Sequence, residues 1–122
     1  MKFLKAFSFA CNGIKICFRS GTNFKIHVFT GVSVFVLAWV LNMGAVQWML
    51  LLLSTALVIA MEMINTAIEK LSDKVEPELH PIIKTVKDVS AGAVLVMAVC
   101  SIIIGAIVFL PPIFNFLKKW LI

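Results

Sequence analysis

VFTGVSVFVLAWVLNMGAVQWMLLLLSTALVIAM, the stretch from Val28 to Met61, contains no Asp, Glu, Lys or Arg. A run of about 20 apolar residues crosses a bilayer as one helix. This one is too long for a single crossing, and Asn42-Met43-Gly44 breaks it near its middle. Asn and Gly together punctuate helices. The stretch therefore predicts two helices, about 24–41 and 45–71, joined by a very short turn. The first needs Phe24 and Ile26 to reach spanning length. The second starts beside Trp48, an aromatic suited to the membrane–water interface, and runs past the hydrocarbon to Glu69.

Working outward, residues 89–110 form another uncharged run of spanning length. Pro111-Pro112 is expected to stop it, leaving Lys118, Lys119 and Trp120 as an interfacial tail. The intervening 72–88 reads as a polar loop interrupted by Pro77 and Pro81, with the third span occupying about 86–110. Before the first span, Leu4, Phe7, Cys11, Ile14 and Phe18 recur at helical spacing, while Lys5, Asn12, Lys15 and Arg19 lie off that stripe. This predicts an amphipathic surface helix over about 2–19, lying in the interface plane. Ser20-Gly21-Thr22-Asn23 then reads as a turn. The expected fold is an all-α membrane protein, residues 1–122 as one domain, with a surface helix and three transmembrane helices.

Composition agrees. Of 122 residues, 61% are hydrophobic and 14% charged, and mean hydropathy is +1.06. Soluble domains carry about 45–50% apolar and about 25% charged residues. Disordered, collagen-like and disulfide-stapled scaffolds are excluded. Cys11, Cys17 and Cys100 have no metal-ligand spacing and read as small packing residues. The N-terminal segment lacks a cleavage site after a proper apolar region and is expected to be retained. The net charge of +5 is dispersed, with no basic stripe, so no nucleic-acid partner is expected. Nine Lys or Arg fall in the N-terminal segment and the 70–88 region, and two in the C-terminal tail. Three spans place the nine together, so the N-terminus and the 72–88 loop are expected in the cytoplasm and the C-terminus outside.

All six acids lie between residues 62 and 88. At about 100° per residue, Glu62, Asn65, Glu69 and Asp73 fall within an arc of about 80° on the second span. A carboxylate as deep as Glu62 is costly in a membrane and marks a functional candidate. Lys87-Asp88 stands at the start of the third span, followed by the small residues Ser90, Ala91, Gly92 and Ala93, which let helices approach closely. That would bring Lys87 and Asp88 to the acidic face. Hard oxygen donors without His or Cys clusters suit Mg²⁺. Beside a lysine at the bilayer edge, they suit phosphoryl transfer, with Glu62 accepting the proton of a lipid hydroxyl. No Walker-type or kinase-type glycine loop is present. The structural alternative is that Glu69 and Asp73 simply pair with Lys70, Lys74 or Lys87.

The run Glu62-Met-Ile-Asn65-Thr-Ala-Ile-Glu69-x3-Asp73, followed by Glu78-x-His80 and Lys87-Asp88-x3-Gly92-Ala-Val-Leu, resembles the small bacterial integral-membrane diacylglycerol kinases, a family that includes undecaprenol kinases. The resemblance covers about residues 5–110. It implies an ATP- and Mg²⁺-dependent lipid kinase of the bacterial cytoplasmic (inner) membrane, acting on a lipid alcohol among membrane lipids. It further implies a homotrimer with active sites built between protomers. It assigns Glu62 as catalytic base, Glu69 and Asn65 to the metal, and Phe9, Asn65, Glu69, Asp73, Glu78, Leu79, His80, Lys87 and Asp88 to the nucleotide side. His80, in a Pro-flanked loop, could equally be a cap, and His27 reads as a headgroup-level or hydrogen-bonded histidine. Relatives usually carry a metal-binding Glu where this chain has Gly21. A water-completed metal shell, altered nucleotide use or weakened activity would follow. The Asn23-Phe24-Lys25-Ile26-His27 stretch is similar to the undecaprenol kinase side.

Two other classes compete. A catalytically weakened or non-catalytic assembly or lipid-binding protein is supported by Gly21 alone. A transporter or channel subunit would need acids strung along a pathway, whereas these cluster at one interface.

Overall fold

The structure is a computed structural model that describes residues 1–75 and 80–122. Among them every regular element is an α-helix: α1 (Lys2–Ser20), α2 (Thr22–Val40), α3 (Ala45–Val75) and α4 (Pro81–Leu121). Segments of α2, α3 and α4 are long and apolar enough to cross a membrane. The expected Glu78 and Leu79 contacts lie outside the described residues.

The turn between α2 and α3 closes as the sequence predicts, and its chemistry is specific. Asn42 sits at φ 51°, the left-handed region that Asn tolerates better than most residues. Its N–H donates to the Trp39 carbonyl at 3.1 Å, and the Met43 N–H donates to the Ala38 carbonyl at 3.1 Å. These two bonds satisfy carbonyls that a helix end would leave orphaned. Met43 also packs on the cluster of Ala38, Leu51, Val108 and Phe109 that ties this end of α2, α3 and α4 together. Phe35 and Trp48 stack beside it with centroids 5.9 Å apart.

Three boundaries differ from the sequence reading. The 20–23 turn shrinks to Gly21 alone, extended at φ −126° and ψ 111°. Phe24, 1% exposed, holds this elbow by an edge-to-face contact with Phe18 at 4.9 Å. Of the polar loop expected over 72–88, residues 72–75 belong to α3 and 81–88 to α4. Pro81 opens the helix rather than breaking a loop, because the first helical position needs no N–H partner. His80 caps it, its Nδ1 accepting from the Ile82 N–H at 3.2 Å. Finally, Pro111 and Pro112 do not end α4, which continues to Leu121. The proline φ is helical, so only the bonds to the Ile107 and Val108 carbonyls are lost. Both lie at the C-terminal edge of the uncharged 89–110 run.

The packing is antiparallel. α4 and α2 both pack on α3. Ser101 Oγ donates to the Ser54 carbonyl at 3.4 Å, and Ser90 Oγ to Asn65 Oδ1 at 2.7 Å. These pairs fix the register between α3 and α4. Gly31 brings α2 so close to α3 that a Cβ there would stand 2.6 Å from Thr55 Cγ2.

Candidate functional site

The polar face of α3 is covered rather than solvated. Glu62 is 4% exposed and Asn65 6%, with Thr66 and Ser72 also buried. Among the described residues no fully buried side-chain polar atom lacks a hydrogen-bond partner. The Gly21 elbow lies against this face, because a one-residue link leaves α2 nowhere else to start. Between elbow and α3 opens a polar pocket of about 350 Å³, lined by Ser20, Gly21, Asn23, Glu62, Thr66, Glu69, Lys70 and Asp73. Three carboxylates and a lysine thus share one small volume.

Asn65 lies behind this pocket, not on its wall. Its Nδ2 donates to Glu69 Oε1 at 3.2 Å, and its Oδ1 accepts from Ser90 on α4 at 2.7 Å. It therefore braces Glu69 against α4. Lys87 reaches from α4 to pair with Asp73, which joins the Lys87 region to the acidic face as the small-residue run predicts. Asp88 is held by Lys84 at 2.6 Å, one turn away. Thr66 Oγ1 donates to the Glu62 carbonyl at 3.0 Å.

The sequence-predicted residues thus divide. Glu62, Glu69 and Asp73 converge in the pocket, with Asn65 and Lys87 directly behind them. Phe9 is 74% exposed on α1, and Phe9, His80 and Asp88 are not among the pocket walls. Sequence reasoning does not reach Ser20, Asn23, Thr66 and Lys70. Thr66 and Lys70 follow Glu62 by one and two turns, so periodicity could have found them. Ser20 and Asn23 are placed only by the elbow. His27, read as a bland histidine, is not among the walls of this pocket.

The donor set is all oxygen apart from Lys70, which suits a hard cation and no softer one. Among the described residues, no three acidic, His or Cys side chains close on a common point. Mg²⁺ needs less, since it binds through one or two carboxylates and keeps waters and phosphate oxygens. Glu69, on the pocket wall and exposed, fits that requirement. Asn65 fits it only as the brace of Glu69, because its Oδ1 is occupied by Ser90.

Residues 8–109 match the family described as prokaryotic diacylglycerol kinase. A diacylglycerol kinase of Synechocystis sp. is 38% identical over 113 residues, 92% of this chain and 65% of that protein. An undecaprenol kinase of Bacillus subtilis is 36% identical over 112 residues, 92% of this chain and 91% of that protein. A diacylglycerol kinase of Escherichia coli is 26% identical over 102 residues, 84% of each. The chain thus spans just under two thirds of the Synechocystis protein and nearly all of the Bacillus one.

Proposed function

The chain belongs to the prokaryotic diacylglycerol kinase family, a family of lipid kinases, and from that premise we propose that it transfers the terminal phosphate of ATP to a membrane lipid alcohol, undecaprenol or diacylglycerol. Glu62 accepts the proton of the lipid hydroxyl as its oxygen attacks the γ-phosphorus. The bond to the β–γ bridging oxygen breaks, and ADP leaves. Little covalent work falls to the protein in phosphoryl transfer, so its task is positioning and charge stabilisation. Lys87 steadies phosphate oxygens, helped by Lys70 on the pocket wall. Glu69 would hold Mg²⁺, which would supply neutralisation of phosphate charge, and Asn65 fixes the Glu69 carboxylate.

The observation that carries this reading is Glu62 itself: a carboxylate 4% exposed, deepest of the acids on a spanning helix, yet opening onto a polar pocket. Such a group is expensive unless used. The protein sits in the bacterial cytoplasmic membrane with the N-terminus and the 72–88 segment cytoplasmic and the C-terminus outside. Nine basic residues on one side support this orientation. Three protomers assemble with shared sites. In support, Phe9, His80 and Asp88 stand away from the pocket of their own protomer, where a neighbour could use them.

The test is transfer of labelled phosphate from ATP in mixed micelles, comparing undecaprenol with diacylglycerol. Glu62→Gln should cut turnover by about 10² to 10⁴, the range for a lost general base, without affecting insertion or assembly. Near-normal turnover in that variant would refute the assignment. A weakened or non-catalytic reading also has one observation behind it: a glycine, Gly21, and not an acid, lines the pocket wall at the elbow. It predicts no transfer to either lipid from assembled protein.

A further inference from the structure

α4 is longer than a membrane crossing needs. Its 41 residues extend about 60 Å at the helical rise, against about 30 Å of hydrocarbon. Part of the excess lies at the Pro81 end, where Lys84, Lys87 and Asp88 stand. The rest lies past the α2–α3 turn, and the pairing of α3 with α4 says how much. Ser90 meets Asn65, and Ser101 meets Ser54. Continued antiparallel to the start of α3, this register sets Leu110 level with Ala45. Residues 111–121 therefore run about 16 Å beyond α3. Ile113 still packs on the cluster beside the turn. Beyond it Phe114, Phe116, Leu117, Trp120 and Leu121 are all exposed.

The side-chain pattern changes at Pro111-Pro112. Residues 89–110 carry no charge on any face. From residue 113 to residue 121 the helix is two-faced. Ile113, Phe114, Phe116, Leu117, Trp120 and Leu121 share an arc of about 160°, and Asn115, Lys118 and Lys119 fill an arc of about 100° opposite. The Phe116 and Trp120 rings meet on the apolar side, centroids 6.1 Å apart. Lysines on one face and aromatics on the other mark a helix that lies in the interface plane. The two prolines stand at the junction, and the hydrogen bonds they remove are where a helix bends.

Charge says what meets the polar face. All six acids lie between residues 62 and 88. Glu62, the nearest of them to the α2–α3 turn, is about 25 Å along α3 from Ala45. Among the described residues neither Lys118 nor Lys119 has an ion-pair partner. A second copy inserted the same way would bring lysines to this end, not acids. The segment is also little more than one heptad long, and a coiled coil needs about three or four. The counter-charge at hand is the phosphate of lipid headgroups.

We propose that residues 113–121 form a foot on the membrane surface: α4 turns at Pro111-Pro112, lays its apolar face into the leaflet opposite the Glu62 pocket, and holds anionic phospholipid headgroups with Lys118 and Lys119. The foot lies beyond residues 8–109, which match the family. It needs only the three crossing helices, and stands whether or not the chain transfers phosphate.

The test reads the depth of Trp120 in the full chain, reconstituted in vesicles of mixed phosphatidylcholine and phosphatidylglycerol. Trp39→Phe with Trp48→Phe leaves Trp120 as the single tryptophan. If that variant fails to insert, the difference between the wild type and Trp120→Phe gives the same signal. Phospholipids spin-labelled at the headgroup and along the acyl chain should place Trp120 at the boundary between the two. Phe116→Trp with Trp120→Phe, in the same background, moves the reporter back by one turn. A foot lying flat gives both reporters one depth, whereas an upright helix separates them by about 6 Å and overturns the proposal. Trp120 quenched by acrylamide as in water, and untouched by the lipid labels, overturns it too. Shielding from lipid and acrylamide alike would give the segment to a second copy. Brominated phosphatidylglycerol should quench Trp120 as if enriched about fivefold over brominated phosphatidylcholine, the order expected of lysines at an anionic surface. Lys118→Gln with Lys119→Gln should remove that preference. Equal quenching by the two lipids before the lysines are changed, or a preference that survives their loss, would overturn the headgroup contact.

Discussion

Ser90→Ala separates two roles for Asn65. Ser90 Oγ donates to Asn65 Oδ1 at 2.7 Å, and both residues are buried. Asn65 in turn donates to Glu69. Removing the hydroxyl deletes one hydrogen bond between α4 and α3 and leaves a buried acceptor without its donor. In water-soluble proteins that costs about 1–3 kcal/mol. Interhelical bonds in membrane proteins average about 0.6 kcal/mol and reach about 1.7. This bond lies between protein surfaces near one end of the span, so about 1 kcal/mol is expected, read as a lower midpoint of unfolding in detergent. The functional effect follows from geometry. Asn65 loses its anchor, the Glu69 carboxylate loses its fixed orientation, and the Mg²⁺ concentration for half-maximal ATP turnover should rise roughly three- to tenfold, since 1.4 kcal/mol is tenfold. Were Asn65 itself the metal ligand, freeing its Oδ1 from Ser90 would lower that concentration or leave it alone. A fall in half-saturating Mg²⁺ in Ser90→Ala would refute the bracing argument.

Gly21→Glu should fold, because the backbone is extended there and a Cβ comes no closer than 3.3 Å to the Cys17 carbonyl; it places a fourth acid on the pocket wall, and half-saturating Mg²⁺ in the turnover assay should fall. Lys87→Met should scarcely move the unfolding midpoint, since the pair with Asp73 is largely exposed and such pairs contribute about 0–1 kcal/mol, whereas KM for ATP should rise clearly. Asn42→Val should lower stability by about 1–2 kcal/mol through the left-handed backbone at this turn, while Asn42→Gly should match or exceed the wild type; equal stability of the two variants in detergent unfolding would contradict the turn geometry.

Much of this molecule is legible along the chain. The uncharged 28–61 and 89–110 stretches and the Asn42 turn determine three crossing helices, because apolar residues without partners in water must go into lipid. The face shared by Glu62, Asn65, Glu69 and Asp73 is also local, following from helical periodicity. Helix ends are less so. Pro81 and Pro111-Pro112 read as breaks, yet one opens a helix and the others are tolerated inside it. Proline removes donors rather than forbidding helical φ. What surrounds that face was decided in three dimensions. The elbow carries Ser20, Gly21 and Asn23 onto α3, Ser90 turns Asn65 aside to hold Glu69, and the three helices leave an apolar groove lined by Leu51, Val58 and Phe109 among others. Periodicity places a side chain on its own helix; only packing determines what that side chain meets.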